Sequence, residues 1–168
     1  MRGDTRATYL KKKHYFNKMG EHCYLQPWNF GTEPYLISLG NNVHIASGVT
    51  FVNHDITALM FQYMDKNTNY QERKGPISIG NNVFIGANSI ILYDVNIGNN
   101  VIIGAGSFVN KDIPDGTVAA GVAKAGAQVI LISGYDGGTV SAGVPCRVIG
   151  RFEDYKEKIQ TKNSQLTL

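Results

Sequence analysis

From Ile79 to Val109 an aliphatic side chain returns every sixth residue, at Ile79, Ile85, Ile91, Ile97, Ile103 and Val109, and a glycine usually follows it. An amphipathic helix would repeat every 3.6 residues and a half-buried strand every 2. A sustained period of six instead specifies short, equivalent strands stacked on one another with a corner between each and the next. The same phase holds upstream at Leu39, Ile45 and Phe51 and then fails for 21 residues, from Ile56 to Pro76. The repeat therefore predicts an all-β solenoid with one large interruption.

The corners are written into the repeat. Gly-Asn-Asn occurs at Gly40, Gly80 and Gly98, each time directly after a large aliphatic residue. Glycine and asparagine are the residues that best tolerate left-handed backbone angles, so these asparagines read as structural. Four residues after each repeating aliphatic stand Val43, Val49, Val83, Ser89, Val95, Val101 and Ser107, mostly small or β-branched and suited to a narrow interior.

With 168 residues, 43% of them hydrophobic, the chain suits one domain, 1–168. Residues 1–30 read as a helix from Asp4 to about Lys18, capped by Asp4 with Tyr9, Leu10 and Phe16 on its apolar side, and an irregular first coil. The solenoid occupies 31–122, with the loop 56–76 inside it. At 123–144 a segment is nearly doubled, because GTVAAGV from Gly116 returns as GTVSAGV from Gly138, and the intervening VILIS reads as a strand of an extra coil or an external hairpin. A turn and a short helix are expected over 145–168.

Cys23 and Cys146 are too few and too far apart for a disulfide framework or a metal knuckle. No apolar run is long enough to span a bilayer, and the opening residues lack the hydrophobic stretch of a secretory signal, so the expectation is a cytoplasmic protein without a membrane span. The net charge of +3 is modest, and the basic residues near the start have no aromatic platform interleaved with them, which argues against nucleic acid as a partner.

Of the four histidines, His14 and His22 fall in the irregular beginning and His44 on an outward strand position. His54 differs: it lies in Phe51-Val52-Asn53-His54-Asp55, the last regular hexad before the interruption. A neutral imidazole there can take a proton from a hydroxyl near neutral pH. Asn53 and Asp55 can orient it or contact an acceptor, or simply shape the corner and cap the loop. A three-histidine zinc site is not available, since no histidine follows His54.

The hexads, the segment FGTEPYLISLGNNVHIASGVTFVNHD, the later IGNNVFIGANSIIL and NKDIPDGTVAAGV, and the closing AGVPCRVIGRF together resemble the hexapeptide-repeat acyltransferases. The likeness is strongest to polysaccharide and sugar O-acetyltransferases, with xenobiotic and maltose or galactoside acetyltransferases as wider relatives. It spans about residues 30 to 153 apart from the doubled segment. It implies a left-handed parallel β-helix of three sheets, with short N-terminal and C-terminal helices, assembled as a homotrimer with active sites between subunits. It also implies acetyl-CoA as co-substrate, no metal, and direct transfer to a hydroxyl of a sugar or polysaccharide precursor with His54 as general base. Gly86, Ala87, Gly104 and Ala105 would line the pantetheine arm, and Lys111, Arg147 and Arg151 would meet the phosphates. One departure from the family is visible: Val122 is followed by Ala123, and only Val144 by the expected Pro145. The alternatives are an antibiotic acceptor or a non-catalytic binding solenoid; an amino group on a nucleotide-linked sugar is a third choice of acceptor.

Overall fold

The computed structural model describes residues 1–121, 130–131, 141–142, 147–154 and 156. Helix α1 (Gly3–Lys12) precedes a first coil holding β1 (Lys18–Met19) and β2 (Tyr24–Leu25), which closes with a single helical turn at Pro34–Leu36. The second coil is β3 (Ile37–Leu39), β4 (Val43–Ile45) and β5 (Thr50–Val52). An excursion follows, made of β6 (His54–Asp55), α2 (Thr57–Met64) and β7 (Arg73–Lys74). The third coil is β8 (Ile77–Ile79), β9 (Val83–Ile85) and β10 (Ile90–Leu92), and the fourth is β11 (Val95–Ile97), β12 (Val101–Ile103) and β13 (Phe108–Val109). Strand β14 (Thr117–Ala120) begins a fifth coil; β15 (Ile130–Leu131), β16 (Ser141–Ala142) and β17 (Arg147–Arg151) complete the described strands.

The second, third and fourth coils each contribute one strand to each of three sheets, the first coil adds β1 and β2 to two of them, and the orders are β1-β3-β8-β11, β2-β4-β9-β12-β14-β17 and β5-β10-β13. All pairings between successive coils are parallel. Equivalent residues lie 18 apart between the third and fourth coils, as Asn81 and Asn99 do, and 40 apart across the excursion, as Asn41 and Asn81 do. The extra chain leaves the stack without disturbing its register, because a surface insertion costs only loop-closure entropy while a slip would misplace every buried side chain.

The repeating aliphatics line the interior. Ile45, Ile85 and Ile103 are fully buried in one column, and Val43, Val83 and Val101 form another within 1% of full burial. Phe51, Ile91 and Val109 stack along the third sheet, and each fully buried side chain of this size contributes about 1.5–3 kcal/mol of hydrophobic stabilisation. Ser89 and Ser107 sit inside the tube with their hydroxyls occupied: Ser89 donates to Gly86 O at 2.8 Å and Ser107 to Gly104 O at 2.6 Å.

The Gly-Asn-Asn corners are hydrogen-bonded ladders. The backbone N–H of Glu21, Asn41, Asn81 and Asn99 donates in turn to the side-chain oxygen of Asn41, Asn81, Asn99 and Asp115 in the next coil, at 2.8–2.9 Å. The second asparagine of each corner, Asn42, Asn82 and Asn100, has φ between 54 and 56°. The glycine is required by the same stacking: a Cβ on Gly40 would sit 2.5 Å from the carbonyl oxygen of Gly80.

Three expectations need correction. Helix α1 ends at Lys12, not Lys18, because His14 adopts a left-handed conformation; its cap position is Arg2 rather than Asp4, and it buries Arg6, Ala7 and Leu10 while Tyr9 stays exposed. The interruption is not loop throughout but carries α2, clamped at its base where β6 pairs antiparallel with β7. After the doubled segment the chain returns as β17, antiparallel to β14, where a turn was expected. Residues 152–154 and 156 are helical, and the rest of the expected C-terminal helix lies outside the described residues. So does most of the segment 123–144, of which β15 and β16 form a separate antiparallel pair.

Candidate active site

His54 leaves the end of the second coil at the point where β6 starts the excursion, and its side chain is 27% exposed. Its Nδ1 lies 2.8 Å from Oε2 of Glu33 and 3.1 Å from the hydroxyl of Thr32. Thr32 in turn donates to the same carboxylate oxygen at 2.7 Å. Glu33 is a nearly buried acid, 8% exposed, and its other oxygen faces Nζ of Lys74 at 3.8 Å. Lys74 reaches this position because β7 pairs it directly with His54, and it also bonds Glu72 at 3.0 Å.

This arrangement fixes the chemistry of the imidazole. The Thr32 hydroxyl first, then His54 and Lys74, hold the Glu33 carboxyl below the usual carboxylate range, against the opposing effect of burial. An ionised Glu33 is only an acceptor, so Nδ1 carries the proton and donates it to Oε2. Nε2 then carries the lone pair, and among the described residues it makes no hydrogen bond. Lys74, bonded to Glu72 and near Glu33, is held charged above the ordinary lysine range.

Sequence reasoning missed Glu33, Thr32 and Lys74. The first two were legible in principle: the first and second coils are offset by 20 residues, as Glu21 and Asn41 are, which sets the stretch around Glu33 against His54. Reading the first coil as irregular hid that register. Lys74 follows no coil arithmetic, since it comes from the return strand of the excursion.

The residues named around His54 do other things. Asp55 accepts the backbone N–H of Thr57 at 2.7 Å, at the start of α2. Asn53 is 1% exposed, and its side-chain oxygen lies where a Cβ on Gly31 would come within 2.4 Å; both its amide atoms are buried without a hydrogen-bond partner. His44 stacks on Tyr24 with ring centroids 5.9 Å apart and bonds Asn42 at 3.0 Å.

Gly86, Ala87, Gly104 and Ala105 are brought together at the corner following β9 and β12. The N–H groups of Gly86 and Gly104 are used between coils, donating to Ile103 O at 2.8 Å and Ala119 O at 2.9 Å, and Gly106 donates to Ala87 O at 2.8 Å. A Cβ on Gly86 would sit 2.4 Å from the Ala105 nitrogen, so coil packing alone demands glycine there. Ala105 is exposed and Ala87 half-buried. Lys111 is exposed beyond β13, away from that corner in the coil. In β17, Arg147 pairs with Ala120, the residue against which Gly104 packs, whereas Arg151 pairs with Thr117 at the opposite end of the strand. Among the described residues no three His, Cys, Asp or Glu side chains are grouped to hold a metal ion, and no helix is long and apolar enough to cross a membrane.

Parallel coils with glycine-asparagine corners define a hexapeptide-repeat protein. Residues 76–111, the third and fourth coils, match the bacterial transferase hexapeptide (six repeats) family. The chain is 55% identical over 92 residues to protein CapG of Staphylococcus aureus, covering 55% of this chain and 52% of that one. It is 34% identical over 124 residues to galactoside O-acetyltransferase of Escherichia coli (strain K12), covering 73% of this chain and 47% of the relative. The chain thus spans about half the length of the curated relatives it matches. Among solved structures it is similar to a galactoside acetyltransferase in complex with coenzyme A, at 26% identity and a TM-score of 0.52, with 92% of this chain and 83% of the other covered.

Proposed function

We propose that this chain transfers an acetyl group from acetyl-CoA directly to a hydroxyl of a sugar or glycan, with His54 as general base and Glu33 as the residue that positions it. The observation that carries this reading is the 2.8 Å contact between His54 Nδ1 and Glu33 Oε2, which leaves the Nε2 lone pair as the proton acceptor. Nε2 takes the proton of the acceptor hydroxyl as that oxygen bonds to the thioester carbonyl carbon. The imidazolium so formed is stabilised by the Glu33 carboxylate and returns the proton to the thiolate when the carbon–sulfur bond breaks. No covalent acyl-enzyme is needed. The likeness to galactoside O-acetyltransferase and to a coenzyme A complex supports both the donor and the sugar class of acceptor.

Orientation of His54 thus passes to Glu33. Asp55 keeps the role of starting α2, and Asn53, packed against Gly31, is a support of the corner rather than an acceptor contact. For the coenzyme we retain the corner of Gly86, Ala87, Gly104 and Ala105, where the exposed Ala105 and the half-buried Ala87 and Gly104 present little side chain to a thin ligand. Arg147, whose backbone adjoins this corner, is the preferred phosphate contact, while Lys111 lies beyond β13 and Arg151 at the far end of its strand.

The likeness to hexapeptide-repeat transferases supports reading the winding as left-handed and the assembly as a homotrimer. Chemistry of the three outer faces supports the assembly. The first sheet turns Lys18, Ser38, Ser78 and Asn96 outward, while the second presents Tyr24, His44, Phe84 and Ile102 and the third Thr50, Val52, Ile90, Leu92 and Phe108. Two mostly apolar faces flanking one edge suit burial in a threefold interface between prisms. The test is an acetyl-CoA thiol-release assay against a panel of sugars and hydroxylated antibiotics, with His54→Ala as control. Release that is independent of His54, or that no hydroxylated acceptor stimulates, would refute the proposal.

A further inference from the structure

The N-terminal cap holds aromatic surface that the reaction centre does not use. Trp28, the only tryptophan of the chain, is 52% exposed. One face of its indole is covered by the guanidinium of Arg6, 4.3 Å from the ring centroid. That guanidinium is itself anchored, since Arg6 is 9% exposed and donates to Leu25 O at 3.3 Å and Met1 O at 3.2 Å. Tyr9, 46% exposed, meets the indole edge-on with centroids 6.5 Å apart and planes at 71°. Two half-exposed rings are therefore locked in place by α1 and by a buried cation, and a rigid aromatic surface gives up little conformational entropy when a ligand covers it.

Tyr9 also borders a recess of about 440 Å³ formed with Met1, Asp4, Thr5, Thr8 and Lys12. Its lining carries the Asp4 carboxylate, the Thr5 and Thr8 hydroxyls, the Tyr9 phenol and the Lys12 ammonium, with Arg2 paired to Asp4 at 3.5 Å, so it offers donors and acceptors at short intervals. A pyranose fits both parts: its C–H face stacks on an aromatic ring, and its hydroxyls exchange hydrogen bonds with such a lining. Trp28 is five residues before Glu33 in the first coil, at most about 18 Å of extended chain, so one short oligosaccharide can reach from the rings to His54.

We propose that Tyr9 and Trp28 form a stacking platform for a pyranose unit of a neutral glycan acceptor, distal to the hydroxyl that is acetylated. The proposal rests on the sugar-acceptor reading above and adds a second subsite to it. Because the chain has a single tryptophan, its emission reports on the platform alone. Titrating the assembled full chain with neutral hexose and N-acetylhexosamine tetrasaccharides should give a saturable emission change and shield Trp28 from acrylamide, in the wild type and in His54→Ala alike. Trp28→Ala and Tyr9→Ala should each raise the KM for the tetrasaccharide acceptor about three- to tenfold, with the KM for the monosaccharide and for acetyl-CoA unchanged. Trp28→Phe, which keeps a stacking face over Arg6, should restore most of the effect. An emission spectrum indifferent to every tetrasaccharide, an indole already shielded in the oligomer by a neighbouring subunit, or an equal rise in the monosaccharide KM would overturn the platform. Saturable tetrasaccharide binding without thiol release from any acceptor would instead refute the acetyl-transfer reading and leave the platform standing.

Discussion

Replacing Glu33 by glutamine should damage the proposed acetyl transfer more than replacing it by alanine, although glutamine preserves the shape. In the native site Oε2 accepts from both Thr32 and His54, while Oε1 faces Lys74 at 3.8 Å. A glutamine has only one acceptor oxygen, and the Lys74 ammonium, which can only donate, draws that oxygen to its own side. The amide NH2 is then turned toward His54 Nδ1, which must accept, so the ring proton moves to Nε2 and the base is lost. Alanine merely deletes a charge-assisted hydrogen bond of about 1.5–3 kcal/mol, or roughly a 10- to 150-fold fall in kcat/KM at 1.4 kcal/mol per decade. The wrong tautomer should cost about 10³- to 10⁴-fold, the scale at which the equivalent change disables a serine-protease triad. Adding Lys74→Met to Glu33→Gln should recover part of the activity, because the amide oxygen is then free to face Nδ1. The assay is kcat/KM from thiol release, with the ring tautomer read by ¹⁵N NMR of histidine. A glutamine variant as active as wild type, or one less impaired than alanine, would refute the reasoning.

Three further outcomes are expected. His54→Ala should lower turnover by about 10²- to 10⁴-fold with the oligomer unchanged by analytical ultracentrifugation; equal activity would remove His54 from the mechanism. Gly86→Ala places a Cβ 2.4 Å from the Ala105 nitrogen and should destabilise the fold by about 1–3 kcal/mol, so an unchanged urea midpoint would contradict the stacking. The Glu33 carboxyl is held below its ordinary range in the folded chain, so its contribution to stability is fully present above the ordinary carboxylate range and is lost as pH falls through the depressed folded value. In urea titrations the wild-type advantage over Glu33→Ala should therefore be constant near neutral pH and shrink on acidification, and an advantage that widened with acid would have the wrong sign.

The hexads made the solenoid legible because burial in a narrow tube imposes one rule on every coil: a large aliphatic side chain every six residues, small or β-branched ones between. Ile85 and Ile103 obey it in sequence and stack in space. Gly-Asn-Asn was equally direct, since the left-handed angles at Asn42, Asn82 and Asn100 are ones that few other residues accept at low cost. His54 also stood out from sequence, as the polar end of the last regular hexad before the interruption. Its partner did not. Glu33 is 21 residues away and Lys74 is 20 residues away on the other side of α2, and nothing in local pattern ties either to the imidazole. Asp55, adjacent in sequence, is taken by the backbone of α2 instead. Repetition propagates through neighbours and can be read along the chain. A catalytic contact depends on which coil lies against which and on where an excursion re-enters the stack, and those distances exist only once the coils are wound and β7 has paired Lys74 with His54.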